Sequence, residues 1–250
     1  MAAPRILITG ASSGIGEALA VEYGSRGAHL ALLARREAEL HGVAERVRQA
    51  GGNAVCIPVD VVDSEATFEA VKRADAELGG LDRVIANAGV GNDKHAARLR
   101  WEDAARTLDV NVKGAIATLM AAIPILLAQQ GGHLVGVSSL AGKRALPEVG
   151  AYSASKAALS TFLETLRLDL GPAGIRVTDV QPGFVRTPLN AKNDRMPFSW
   201  PVDRAARVIA DRLEKAPAVV SFPWPLVLAT SFIRTLPPWL YDRIMRAARH

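Results

Sequence analysis

The strongest constraint on the fold is an alternation. Short apolar runs rich in Val, Ile and Leu recur along the chain (RILIT, AHLALLA, NAVCIPV, RVIANA, GHLVGVS, IRVTDVQ), and between them lie longer segments with helical periodicity, such as EAELHGVAERVRQA and EATFEAVKRADAEL. Runs that are apolar throughout, rather than at every second position, belong to strands buried on both faces, as in a parallel sheet covered by helices. The expected fold class is therefore α/β, a doubly wound parallel sheet of about seven strands. At 250 residues with 49% hydrophobic content the chain is long enough for one sizeable domain, and no repeat or Ser/Gly linker divides it. A shift toward Pro, Trp and Phe near residue 190 marks 190–250 as a divergent segment. Ligands of such sheets bind at the carboxyl ends of the strands, near the switch in strand order.

Charge and cysteine usage narrow the class. The formal charge of +5 is spread through the chain with no block of one sign, which argues against nucleic acid as a partner. A cofactor phosphate is a sufficient anion. The single Cys56, in the apolar run AVCIPV, is expected to be a buried thiol, consistent with a reducing, cytoplasmic setting. The five histidines show no metal-ligand spacing, so no metal site is expected. The N-terminus MAAPRILITG enters a strand at once, without the pattern of a signal peptide.

Three motifs carry chemistry. The first strand runs into ITGASSGIGEALA, where Gly10, Gly14 and Gly16 permit a tight turn and close backbone approach before a helix. A helix N-terminus placed there offers amides and a positive dipole end to a pyrophosphate. The second strand ends LLARRE, with Ala34 followed by Arg35 and Arg36. An acid here would favour NAD(H), whereas a guanidinium accepts a 2′-phosphate, so NADP(H) is the expected cofactor; the alternative is that both arginines are solvated charges opening the next helix. Arg35, nearer the strand end, is the preferred ligand. Third, Tyr152 and Lys156 stand four apart in YSASK, on one helix face. At about 4 Å and an effective dielectric near 20, an ammonium attracts a phenolate by roughly 4 kcal/mol, about three units off a reference Tyr pKa.

Read together, these pieces resemble the short-chain dehydrogenase/reductase family from Thr9 to about Leu189. They occur in family order: TGASSGIG, Asp60 after the third strand, NAG at 87–89, Asn111 in LDVNVKG, Ser139 in GVSS, Tyr152 and Lys156 in YSASK, and Pro182-Gly183 followed by Thr187. The resemblance implies a Rossmann-type fold and an oxidoreductase moving a hydride between NADP(H) and a carbonyl or secondary alcohol. It implies that Gly10, Ser12, Ser13, Gly14, Ile15 and Gly16 cradle the cofactor. Asp60 and Val61 would then meet the adenine, Asn87, Ala88 and Gly89 would line the cleft, and Pro182, Gly183, Val185 and Thr187 would stand at the nicotinamide end. Tyr152 becomes the general acid/base, Ser139 the group that holds the carbonyl oxygen, and Lys156 the group that lowers the phenol's pKa and binds the nicotinamide ribose. Asn111 links the proton path to a water. Ser138 is the rival for the serine role, and spacing favours Ser139. A homodimer or homotetramer is the family's usual assembly. A module that binds NADP(H) without turnover is the competing reading, and the complete set Asn111, Ser139, Tyr152 and Lys156 argues against it.

Beyond Leu189 the resemblance thins. Phe184, Met196, Phe198 and Trp200 fall where family members carry a substrate flap, so an apolar ketone or aldehyde is the expected substrate, unless these side chains pack beneath the loop. DRAARVIADRLEKA reads as a helix and AVVSF as a last strand. The run VVSFPWPLVLATSFI, at about fifteen residues, is too short and proline-broken to span a membrane. The arginine-rich end SFIRTLPPWLYDRIMRAARH suits an oligomer contact or, less favoured, a helix on a membrane surface.

Overall fold

The apolar runs become strands because their β-branched and leucine side chains are buried whichever way the pleat points them. In the computed structural model, which describes residues 3–91, 94–190 and 196–247, the first half alternates strand and helix: β1 (Arg5–Thr9), α1 (Gly14–Ser25), β2 (His29–Ala34), α2 (Glu37–Gln49), β3 (Asn53–Pro58), α3 (Ser64–Leu78) and β4 (Arg83–Ala86). There follow α4 (Trp101–Leu108), a π-helical turn at Asp109–Gly114, α5 (Ala115–Ala128), β5 (Gly132–Val137), α6 (Gly150–Leu170) and β6 (Ile175–Pro182). The divergent segment adds the short pair β7 (Val185–Arg186) and β8 (Trp200–Pro201), then α7 (Val202–Leu213), β9 (Val219–Phe222), α8 (Trp224–Thr235) and α9 (Pro238–Ala247).

Among the described residues the main sheet has seven strands, all parallel, in the order β3-β2-β1-β4-β5-β6-β9. The order reverses between β1 and β4, which opens a crevice at their carboxyl ends. Alternation along β1 divides the core into two layers. Ile6 and Ile8 pack with α1, α2 and α7 on one face, whereas Leu7 packs with α3, α5 and α6 on the other. The helices present matching stripes, such as Leu40, Val43, Ala44 and Val47 on α2 and Thr67, Ala70, Val71 and Ala74 on α3. Asp63 caps α3 by accepting from Ala66 N at 3.0 Å, and Gly79 ends it in the left-handed conformation.

The helical stretch Trp101–Ala128 is long and apolar enough to cross a membrane by composition, yet 56% of its apolar window is buried, and its Leu119, Ala122 and Leu126 belong to the core layer shared with α3. The π turn within it lets the chain approach the loop after β3 closely. A Cβ on Gly114 would stand 2.7 Å from Val61 Cγ2 and 2.9 Å from Val61 O.

The C-terminal run divides into an edge strand and a helix. On α8, Trp224 (73% exposed), Leu228 (61%) and Phe232 (66%) form one apolar stripe at four-residue spacing. By contrast α9 is docked: Tyr241 is buried, its hydroxyl donates to Ala145 O, and the Arg144 guanidinium lies 4.4 Å from its ring centroid.

Candidate active site

The crevice at the switch point is walled by the segments that the motifs occupy. Its lining includes the loop after β1, Arg35 and Arg36 after β2, Asp60 and Val61 after β3, Asn87, Ala88 and Gly89 after β4, Ser138 and Ser139 after β5, Tyr152 and Lys156 on α6, and Pro182, Gly183, Val185 and Thr187 after β6. Of the expected cofactor-binding and catalytic residues only Gly16 and Asn111 stand back from its walls.

The glycines are explained by contact. Gly10 and Gly14 take φ of +67° and +62°, a region that side chains disfavour. A Cβ on Gly10 would sit 2.7 Å from Ala88 Cα, and one on Gly16 would sit 2.4 Å from both Asn87 Nδ2 and Gly10 O. Gly16 therefore serves the turn's packing from behind. Thr9, which the motif reading passed over, ties the turn to β4: its Oγ1 accepts from Asn87 N and Ala88 N at 3.1 Å each, while Asn87 Nδ2 donates to Thr9 O at 3.0 Å.

The two arginines have different partners. Arg35 Nη1 lies 3.5 Å from Asp60 Oδ2. Arg36 Nη2 reaches across the crevice mouth and donates to Ser12 Oγ at 3.0 Å and Ser13 Oγ at 2.9 Å. Ser13 occupies the N-cap of α1, yet its side chain does not cap the helix. The first-turn amides of α1 thus lack the usual side-chain acceptor, which leaves them available to an anion. The preference for Arg35 over Arg36 has no geometric basis here, because both line the crevice.

At the other end the catalytic candidates converge. Ser138 is tied down: its Oγ donates to Asp179 Oδ1 at 2.5 Å. Ser139 Oγ accepts from Ala141 N at 3.1 Å and has only a long contact, 3.4 Å, to Pro182 O. Lys156 Nζ donates to Val137 O at 2.8 Å and lies 5.7 Å from the Tyr152 ring centroid. Lys156 is buried, and desolvation pushes its pKa down to about 8 against the opposing pull of Asp179. This ammonium is retained at neutral pH and is lost as the pH rises through about 8.

Asn111 is held in the π turn. Its Oδ1 accepts from Val90 N at 2.8 Å, and its Nδ2 donates to Val90 O at 2.9 Å and Ser155 Oγ at 3.0 Å. Ser155 Oγ in turn donates to Tyr152 O at 2.7 Å. Asn111 thereby clamps the loop after β4 to α6 beneath the tyrosine. Gly89 sits against this corner, where a Cβ would lie 3.4 Å from both Asn111 Oδ1 and Lys156 Nζ.

The apolar flap is rearranged relative to expectation. Phe184, Met196, Phe198 and Trp200 do not line the crevice. Trp200 pairs with Phe184 through the backbone at 2.9 Å and stacks on Phe222 at 4.9 Å, packing against the core. Apolar walls come instead from Val90, Val110, Pro188 and Leu189. Asn190 fixes the last turn, with its Oδ1 accepting from Thr187 N at 3.1 Å and its Nδ2 donating to Val185 O at 2.8 Å. Nothing in the spacing of these residues marks them before the loop is folded.

Comparison with known proteins gives a consistent picture. A family model described as short chain dehydrogenase matches residues 4–197. An uncharacterized oxidoreductase of Myxococcus xanthus is 45% identical over 244 residues, covering 97% of this chain and 96% of that one. The crystal structure of a short-chain dehydrogenase/reductase from Burkholderia phymatum in complex with NAD superposes with a TM-score of 0.85 at 25% identity, covering 92% of each chain. That of an alcohol dehydrogenase from Thermococcus sibiricus complexed with 5-hydroxy-NADP gives 0.80 at 29% identity, covering 88% of this chain and 95% of that one.

Proposed function

The chain belongs to the short-chain dehydrogenase/reductase family, and from that premise we propose that it transfers a hydride between NADP(H) and an apolar ketone or aldehyde, with Tyr152 as general acid and base. The observation that carries this reading is that Ser139, Tyr152 and Lys156 line the same crevice as the glycine turn.

The residues fit a dinucleotide. Gly10 and Gly14 keep side chains out of the turn, the α1 amides lack a side-chain cap, and Arg35 and Arg36 provide cations beyond the end of β2 where Ala34 stands in place of an acid. When bound, the nicotinamide supplies the hydride. The protein's part is position and protonation. Ser139 donates a hydrogen bond to the substrate oxygen and holds it beside the phenol, where developing charge is stabilised. Tyr152 gives that oxygen a proton in reduction and takes it back in oxidation. Lys156, while protonated, stabilises negative charge on the tyrosine oxygen, and its bond to Val137 O fixes its position. Asn111 keeps Tyr152 in register through Ser155 and Val90. The side chains of Val90, Val110, Pro188 and Leu189 favour an apolar substituent on the carbonyl.

Replacing Tyr152 by Phe tests the mechanism: NADPH binding persists and ketone turnover falls by about 10²–10⁴. Cofactor choice is tested by Arg35→Ala and Arg36→Ala. Each weakens NADPH by about tenfold, followed by fluorescence titration, and leaves NADH nearly unchanged, because charge-assisted bonds to a phosphate are what each variant removes. Equal losses for both cofactors would remove the phosphate role. The apolar stripe of α8 supports a further part of the reading, that a second copy of the chain covers Trp224, Leu228 and Phe232 in solution.

A further inference from the structure

A second cavity lies on the far side of the serine loop from the crevice. It encloses about 490 Å³ between α6, the ends of β6 and β9, and the C-terminal end of α8. One wall is a single face of α6, where Ala157, Ser160, Thr161, Glu164 and Arg167 recur at helical spacing. The opposite wall is Asp179 and Gln181 of β6, with Val219 at the sheet edge. Lys143, just past the turn that Ser139 caps, and Arg234, at the end of α8, complete it.

The charges in this cavity do not cancel. Lys143, Arg167 and Arg234 face two acids, Glu164 and Asp179. Both oxygens of Asp179 are engaged, Oδ1 by Ser138 Oγ at 2.5 Å and Oδ2 by Gln181 Nε2 at 2.6 Å. Glu164 approaches Arg167 only at 3.9 Å. Among the described residues the side chains of Lys143 and Arg234 make no hydrogen bond and no ion pair. Burial first, and then the neighbouring Arg234, hold Lys143 below its ordinary value, against a smaller opposing pull from Asp179. Three cations against two acids, one of them already bonded through both oxygens, leave the cavity with an excess of positive charge that a bound anion relieves. The hydroxyls of Ser160 and Thr161 supply neutral donors on the same wall.

We propose that this cavity binds a small molecule bearing a multiply charged oxyanion, phosphoryl or carboxylate, through Lys143, Arg167 and Arg234, at a site separate from the cofactor crevice. The test uses the full chain saturated with NADPH, so that the glycine turn is occupied, and measures equilibrium dialysis of labelled pyrophosphate and, in a second arm, citrate. The expected result is one anion per chain, in the pyrophosphate arm for a phosphoryl ligand or the citrate arm for a carboxylate one. Affinity should fall about tenfold in K143Q/R234Q and should also fall in the single variant Arg167→Gln, which lies on a partly exposed helix face. Circular dichroism and NADPH fluorescence check that both variants are folded and still bind cofactor. Absence of binding in both arms, or binding that both variants leave unchanged, would overturn the proposal. Because the readout is anion binding, a chain inactive toward every ketone would still pass or fail this test.

Discussion

Lys156 shows how one side chain couples stability to chemistry. Its folded-state pKa is near 8, whereas an unfolded lysine titrates near 10.5. Below pH 8 both states are protonated and the native state carries the full cost of a buried ammonium, roughly 3 kcal/mol from the shift. Between pH 8 and 10.5 the unfolded chain holds a proton that the native one has released, so this contribution to stability rises with pH. Lys156→Met should therefore be at least as stable as the parent at pH 7 in urea denaturation, and its advantage should shrink as pH rises from 8 to 10.5. A variant that loses several kcal/mol at pH 7 and shows no such convergence would contradict the assignment. That a lysine is kept here despite its cost is what a functional position looks like.

Among the elements, the sheet is pinned at the end opposite the crevice by a buried polar chain. Arg83 on β4 donates from Nε to His133 Nδ1 at 3.2 Å, from Nη1 to Tyr23 OH at 2.8 Å and Glu214 Oε1 at 3.1 Å, and from Nη2 to Leu213 O at 3.1 Å. His133 Nε2 meets Thr178 Oγ1 at 2.8 Å, and Thr178 Oγ1 donates to Pro217 O at 2.5 Å. Burial and the Arg83 charge push the His133 imidazole down to about 3, so it stays neutral while an unfolded histidine protonates near 6.5. The sign follows: as pH falls below 6.5 the unfolded state gains a proton that the native state refuses, and stability drops by about 1.4 kcal/mol per unit toward pH 3. Denaturation midpoints at pH 7.5, 6 and 5 check this, and His133→Gln should flatten the dependence. An imidazole that titrates near 6.5 by NMR in the folded protein would rule it out. No sequence signal announced this network, because its members are separated by tens to more than a hundred residues and each alone is an ordinary polar residue.

For the whole molecule, what could be read from the chain was what is encoded locally. The apolar runs gave the strands, including the late strand in AVVSF, and the glycine turn, Ser139, Tyr152 and Lys156 sit in one crevice because the parallel topology brings the carboxyl ends of β1, β5 and β6 together with α6. What failed to show was set by tertiary contact. Trp200 stacks on Phe222 and packs against the core layer that includes α7, contacts that exist only once β9 is in place. Arg36 reached Ser12 and Ser13 because α2 begins at the crevice mouth. The exposed stripe of α8 leads to a prediction at this scale: light scattering should give at least a dimer, and Leu228→Glu with Phe232→Glu should yield monomers. An unchanged mass, with the parent chain co-sedimenting with anionic liposomes, would favour a membrane surface as the partner instead.

The most direct test of the central claim is turnover and binding measured together on the parent chain and Tyr152→Phe, using loss of reduced-nicotinamide absorbance with a panel of bulky apolar ketones and fluorescence titration with NADPH. The expected result is turnover in the parent, and in the variant an unchanged NADPH affinity with turnover lower by about 10²–10⁴. Equal turnover in both proteins would contradict the assignment of Tyr152 as the proton donor.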